Sequence, residues 1–378
     1  MKLVFISNYM SAHQFHLSNE FYKQLEGSYL FVATDKMTDE RRQLGWPEFT
    51  ASYIVEYDVN RPNKEIQQMI TDADYVIIGS APYCLVRDRL QRGKITFAYT
   101  ERLYKRKPSF LKLGFHWMRF FFQYGIYKKA YLLCASAYSA GDFARLHIFK
   151  GKSYKWGYFT KVEKNTDIQT ILSQKISSSI LWVARFIDWK HPEIALICAR
   201  KLKDKGFKFQ LNMIGNGVLE ERTRQMIIEL GIEDCVRVLG SLPNDTVYEY
   251  MKQTAILLFT SDRNEGWGAV VNEAMSSGCA MVANSSIGSA PFLIKNGENG
   301  VVYDEENMDS LVEKLSSLLT DVSYRERIAA NAINTMRNVW NPHEAAARFI
   351  RLAENLSKGA PTPYEEGPCS VAPIIVMK

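Results

Sequence analysis

Residues 255–284 read AILLFTSDRNEGWGAVVNEAMSSGCAMVAN, and the fold turns on how this stretch is parsed. The apolar run Ala255–Phe259 ends in a polar loop, a helix is expected to open near Gly268 and stop at Gly278, and a second apolar run, Ala280–Ala283, follows. Two short apolar runs joined by a helix form a strand-loop-helix-strand unit of a parallel sheet. Gly266 and Gly268 keep the loop free of side chains, so a ligand can approach the backbone. The first N–H groups of the helix lack intrahelical partners and favour anions. Glu265 in the loop and Glu273 on the helix therefore flank a place suited to phosphate.

The segment before this unit has the same rhythm. A strand over Ile180–Ala184 leads into RFIDWKHPE (185–193) and a helix through Leu202; then come Phe209–Ile214, the turn Gly215-Asn216-Gly217, a helix to Leu230, and a strand Val236–Leu239 ending at Gly240. Arg185 and Lys190 stand at a strand's carboxyl end and a helix start, where fixed positive charge would meet a diphosphate. The turn at Gly215 lacks the third glycine of a dinucleotide fingerprint and is weak alone.

Glu-Gly-Trp-Gly-x4-Glu-Ala-Met-x-x-Gly, residues 265–278, resembles the Glu-x7-Glu signature of family 4 retaining glycosyltransferases, and the chain is similar to bacterial surface-polysaccharide glycosyltransferases. The resemblance implies an α/β chain of GT-B architecture: two Rossmann-like doubly wound domains facing a cleft, the second holding a nucleotide diphosphate sugar and the first an acceptor. It implies Glu265, Arg185 and Lys190 as catalytic residues, with the two cations on the donor phosphates and Glu265 on the donor sugar. Glu273 would take the ribose, the backbone of Gly266, Trp267, Gly268 and Ala269 the diphosphate, and Gly215 and Gly240 would belong to the donor site. Retention of configuration and independence of metal or other cofactor also follow from the family. Open alternatives are a nucleotide-sugar epimerase or phosphorylase on the same fold, or a non-catalytic sugar-nucleotide-binding subunit.

In the first half, the apolar runs Tyr29–Ala33, Tyr53–Val55, Tyr75–Gly79, Ile95–Tyr99 and Ala130–Ala135 alternate with helical or polar segments, which argues a doubly wound α/β domain. Ligands in such sheets bind beyond the carboxyl ends of the strands. His13 and Glu101, each just past an apolar run, are candidates for handling the acceptor hydroxyl. The near-neutral reference pKa of His13 makes it the better proton acceptor of the two.

Length and composition set the frame. A chain of 378 residues suggests two or three domains, and 47% hydrophobic with 23% charged residues is globular. The polar stretch Thr160–Ser179 marks a boundary. The expected division is 1–160 with a returning C-terminal helix 341–357, then 161–340, then an irregular tail 358–378 whose apolar end, Val371–Met377, has no assignable dock. Six scattered cysteines give neither a zinc spacing nor a disulfide framework, which suits a reducing cytoplasm. The first residues read as a buried strand rather than a signal segment, and no apolar run is long enough to span a membrane.

Residues 102–129 hold eight Lys or Arg, no acid, and Phe110, Phe115, Trp117, Phe120, Phe121, Phe122, Tyr124 and Tyr127. Basic residues beside aromatics suit an anionic bilayer surface. No nucleic-acid-binding module is present. The expected partners are the nucleotide-sugar donor and the saccharide or lipid-linked acceptor that the resemblance implies, and an anionic membrane surface on the cytoplasmic side.

Overall fold

The computed structural model describes residues 1–39, 42, 47–304 and 307–376. The chain divides into two compact units, Met1–Lys161 with Trp340–Lys378, and Val162–Val339. Each is built on one parallel sheet.

The first unit holds β1 (Leu3–Ser7), β2 (Tyr29–Ala33), β3 (Ile54–Glu56), β4 (Tyr75–Ile78), β5 (Thr96–Thr100), β6 (Ala130–Cys134) and β7 (Ser153–Lys155), in the order β3-β2-β1-β4-β5-β6-β7. Central strands such as β1 and β4 are buried along their whole length and are nearly all apolar, as both faces of a parallel sheet are covered. The helix Pro342–Ser357 opens with Asn341 accepting from the Glu344 N–H at 3.0 Å and Pro342 at its first position. It packs against the helix Ala12–Gln24 and drives Phe349 into the core, where its ring meets Phe21, Phe97 and Trp156.

The tail expected to be irregular has little regular structure, yet it is firmly docked. The Lys155 N–H donates to the Ser370 carbonyl and the Cys369 N–H to the Lys155 carbonyl, both at 2.8 Å, so the tail runs antiparallel along β7 and covers an otherwise open sheet edge. Its further end lies on the helix Ser139–Ala144, where a Cβ on Gly141 would sit 2.0 Å from the Ile375 carbonyl oxygen. Met377 and Lys378 are outside the described residues.

The second unit holds β8 (Ile176–Val183), β9 (Gln210–Ile214), β10 (Val236–Gly240), β11 (Thr254–Phe259), β12 (Ala280–Asn284) and β13 (Val301–Tyr303), in the order β10-β9-β8-β11-β12-β13. The polar stretch Thr160–Ser179 is not all linker. It contains the helix Ile168–Ser173, capped by Asp167 on the Thr170 N–H, and the first four residues of β8. Ile176, Ser177 and Ser178 lie exposed at the strand's start, so no apolar alternation marks them. All six cysteines are unpaired. No helix among the described residues is long and apolar enough to cross a membrane.

The basic, aromatic segment folds as the helix Phe110–Phe120 and one π turn, Phe121–Gly125, none of whose residues is buried. Ser109 caps it on the Lys112 N–H. Phe120 anchors it on Phe143, with ring centroids 5.1 Å apart, and His116 hydrogen-bonds the Tyr104 hydroxyl. Phe110 and Leu111 are 88% and 84% exposed, and Phe115, Trp117, Met118, Phe122 and Ile126 also face solvent.

Candidate functional site

In the second unit the carboxyl ends of β8 and β11 are stitched together by buried hydrogen bonds. The Trp182 indole N–H donates to Thr260 Oγ1 at 2.8 Å, and that hydroxyl donates to the Lys190 carbonyl at 2.6 Å. The Asp262 N–H donates to the Trp189 carbonyl at 2.9 Å. These bonds bring two loops distant in sequence side by side and set the Lys190 ammonium on the Glu265 carboxylate. Both side chains are mostly shielded, 13% and 16% exposed, and the ammonium lies 5.1 Å from the centroid of the Phe259 ring. In a shielded pair each charge needs a partner, so an anion that draws Lys190 away must leave Glu265 with other donors. Arg185, in the same loop, is exposed, its guanidinium 5.8 Å from the centroid of the Trp189 ring.

The helix Ala269–Ser276 starts from Gly268, whose φ of +85° is left-handed; a Cβ there would also sit 2.8 Å from the Phe259 ring. Trp267 does not line a binding surface with its side chain. The residue is 1% exposed, and its indole donates to Asn272 Oδ1 at 2.8 Å, turned into the core. Gly266 is likewise buried, whereas Ala269 is part-buried at the first turn. Glu273 is part-buried on the same helix and is hydrogen-bonded by the Tyr248 hydroxyl; burial pushes its carboxyl up to about 7.

Gly215 is required by close packing of backbone. Its φ is +144°, and a Cβ would fall 1.8 Å from the Ala184 carbonyl oxygen. Its N–H donates to the Gly240 carbonyl at 2.9 Å, which ties the ends of β9 and β10 together beside the loop that carries Arg185.

His191 has no place in the reading of the sequence. It holds a left-handed φ of +50°, sets Nδ1 2.6 Å from Glu193 Oε1 and sets Nε2 3.4 Å from Asp262 Oδ2. The Glu193 hydrogen bond above all, helped by Asp262, raises its pKa to about 9, so the imidazolium is held beside Lys190 at neutral pH. Asp262 in turn accepts from the Asn264 N–H at 2.7 Å and shapes the turn before Glu265. Glu193 two residues along the chain was a visible signal; Asp262, from another loop, was not.

In the first unit His13 and Glu101 are both part-buried and are linked through a residue not anticipated from sequence. The Tyr158 hydroxyl donates to Glu101 Oε1 at 2.5 Å, and the Tyr158 ring stacks on His13 with centroids 4.2 Å apart and planes 4° from parallel. The near-neutral pKa expected for His13 does not hold. Burial, with the nearby His16, lowers it to about 4, leaving a neutral and weakly basic imidazole.

Two other features lie away from these residues. A groove of about 550 Å³ lined by Asp74, Arg92, Lys94, Lys129 and Glu354 sits at the amino ends of β4 and β5. Asp72 and Asp74 have the Asp-x-Asp spacing found in metal-dependent transferases, but they too lie ahead of β4, where Asp74 accepts from the Lys2 N–H and Asp72 pairs with Lys94.

Residues 163–335 match the family model for glycosyl transferases group 1, a match that falls within the second unit. The amylovoran biosynthesis glycosyltransferase AmsK of Erwinia amylovora is 27% identical over 183 residues, covering 47% of this chain and 45% of that protein. The D-inositol 3-phosphate glycosyltransferase of Corynebacterium efficiens is 25% identical over 165 residues, covering 42% and 38%. The alignments thus span less than half the length of these curated relatives. Among solved structures, Anabaena HepE in complex with UDP matches with a TM-score of 0.68 at 16% identity, covering 95% of this chain and all of that one. The lipopolysaccharide outer core galactosyltransferase WaaB in its apo form matches with a TM-score of 0.65 at 18% identity, with the same coverage. The fold is that of GT-B glycosyltransferases, two Rossmann-like α/β units on parallel sheets.

Proposed function

We propose that this chain transfers a sugar from a nucleotide diphosphate sugar to a hydroxyl of a saccharide or lipid-linked saccharide, with retention of configuration and without a metal. The Lys190–Glu265 pair beside the Gly268 helix start carries the reading. As the glycosidic bond breaks, the leaving diphosphate gathers negative charge. Lys190 turns to that charge, Arg185 adds a second cation, and the N–H groups after Gly268 point into the same place, a preorganised answer to charge developing in the transition state. Glu265, released from Lys190, accepts hydroxyls of the donor sugar, and Glu273 accepts those of the ribose.

Because HepE was crystallised with UDP, UDP and UDP-sugars are the first probes. Thermal shift against a nucleotide-sugar panel should raise the melting temperature for at least one member, since a bound ligand stabilises by mass action. Donor turnover should survive excess EDTA. Binding without turnover against every saccharide acceptor would sink the enzyme reading, and turnover lost to EDTA and restored by magnesium would sink the metal-free mechanism.

The exposed helix Phe110–Phe120 supports an acceptor presented at an anionic membrane surface. Lys105, Arg106, Lys107 and Lys112 supply charge, and Phe110, Leu111 and Phe115 supply apolar insertion. In co-sedimentation with phosphatidylglycerol liposomes, Phe110→Ser with Leu111→Ser should remove the salt-resistant fraction. Changing Lys105, Arg106 and Lys107 to Ser should remove the salt-sensitive one. A wild type that ignores these liposomes at low salt would end this part of the proposal.

A further inference from the structure

We propose that Tyr158, with His13 against its ring and Glu101 on its hydroxyl, forms a saccharide subsite of the first unit, in which a sugar ring lies on the aromatic pair and presents its hydroxyls to Glu101. The assignment of that sugar as the acceptor rests on the transferase reading.

Three separate parts of the chain meet here. His13 is in the first turn after β1, Glu101 immediately follows β5, and Tyr158 follows β7. All three stand at the carboxyl ends of strands, the end at which open α/β sheets bind ligands. Tyr99 in β5 fixes the assembly: its hydroxyl donates to the Gly157 carbonyl at 3.3 Å, coupling the strand that carries Glu101 to the backbone beside Tyr158. Each of the three residues is part-buried.

The chemistry selects the ligand class. A pyranose has a face of C–H groups, which suits the electron-rich face of an aromatic ring, and an edge of hydroxyls, which donate to a carboxylate. The Tyr158–Glu101 hydrogen bond is charge-assisted and polarises the phenol oxygen, making it a better acceptor in its own right. The imidazole of His13 is neutral, so the aromatic pair is a flat uncharged surface rather than an anion site. Glu101 would repel a phosphate, which favours a neutral sugar ring over a nucleotide.

The test uses the full chain, with and without UDP, and a panel of p-nitrophenyl glycosides of hexoses, N-acetylhexosamines and 6-deoxyhexoses, read by saturation-transfer NMR and calorimetry. At least one glycoside should bind. Tyr158→Ala should weaken it about tenfold, Tyr158→Phe, which keeps the ring, about threefold, and Glu101→Gln about fivefold. UDP affinity should stay within about twofold throughout, since each variant lies outside the donor residues. If Tyr158→Ala does not fold, Tyr158→Phe and Glu101→Gln decide. A chain that binds UDP but no glycoside, or variants that bind the glycoside as wild type does, would overturn the subsite. Glycoside binding that depends on Tyr158 in a chain ignoring every nucleotide sugar would keep the subsite and break the transferase reading.

Discussion

The candidate groups of the two units are built in different ways. In the second unit Glu265, Gly266, Gly268, Ala269 and Glu273 come from one loop and the helix it feeds, and the proposed donor contacts are largely backbone. In the first unit His13, Glu101 and Tyr158 arrive from three strand ends and meet only through their side chains. A site made of backbone needs glycine at fixed positions and so leaves a local mark in the sequence. A site made of side chains needs only that the sheet bring its strand ends together.

The largest expected effect tests whether the chemistry of charge stabilisation belongs to the second unit. Lys190→Ala and Arg185→Ala should each lower turnover by at least a hundredfold, a loss of about 2.7 kcal/mol or more of leaving-group stabilisation. Steady-state kinetics on the first active donor, with circular dichroism to check the fold, is the measurement. Either variant turning over at the wild-type rate would remove the phosphate assignment.

A smaller effect concerns Glu273. Burial holds its carboxyl near 7, well above its ordinary range, so in the free chain it is largely protonated below that pH. Ribose hydroxyls donate to the ionised form, so UDP affinity should rise with pH up to about 7 and level off above it, by up to about tenfold per pH unit below 7. The linked stability runs the other way: a raised carboxyl favours the folded chain at low pH, and that contribution is lost as pH rises through 7. In Glu273→Gln the affinity profile should flatten to the titration of UDP itself. Calorimetry from pH 5.5 to 8.5 separates the cases, and coincident profiles for the two proteins would take the ribose away from Glu273.

The same contrast explains what was legible in the sequence. The second sheet was readable because most of its strands are short apolar runs, several with a glycine at one end, and Gly215 and Gly268 are held by close contacts that any Cβ would break. Trp267 could be named from its place in the motif, but that place says nothing about which way the indole turns, and it turns into the core. His13 could be singled out by position, but its lowered basicity depends on burial and on His16 nearby, and only the folded unit shows the first of these. Tyr158 carried no signal, since its partners lie 57 residues away at Glu101 and on the other side of β4 at His13. The docked tail was unreadable for a similar reason: the edge of β7 recognises backbone, and almost any sequence offers that.

The smallest effect asks whether the second unit's loops are held by a charged side chain as well as by the neutral hydrogen bonds of Thr260 and the Asp262 N–H. His191 joins the Lys190 loop to Asp262, just ahead of Glu265, and Glu193 braces the same ring. Its pKa is raised to about 9 in the folded chain, chiefly by Glu193, above the ordinary 6.5. A raised histidine stabilises fully below 6.5, and the contribution is lost as pH climbs through 9. Asparagine tolerates the left-handed backbone at this position better than most residues, so His191→Asn removes the charge with little added strain. The wild type should lose about 2–4 °C more than His191→Asn in melting temperature between pH 7 and pH 9.5, the size expected of roughly 1 kcal/mol in a partly solvated ion pair. Effects common to the whole chain cancel in that difference. Parallel melting curves would mean that the Thr260 hydroxyl and the Asp262 N–H hold the loops without help from the His191 charge.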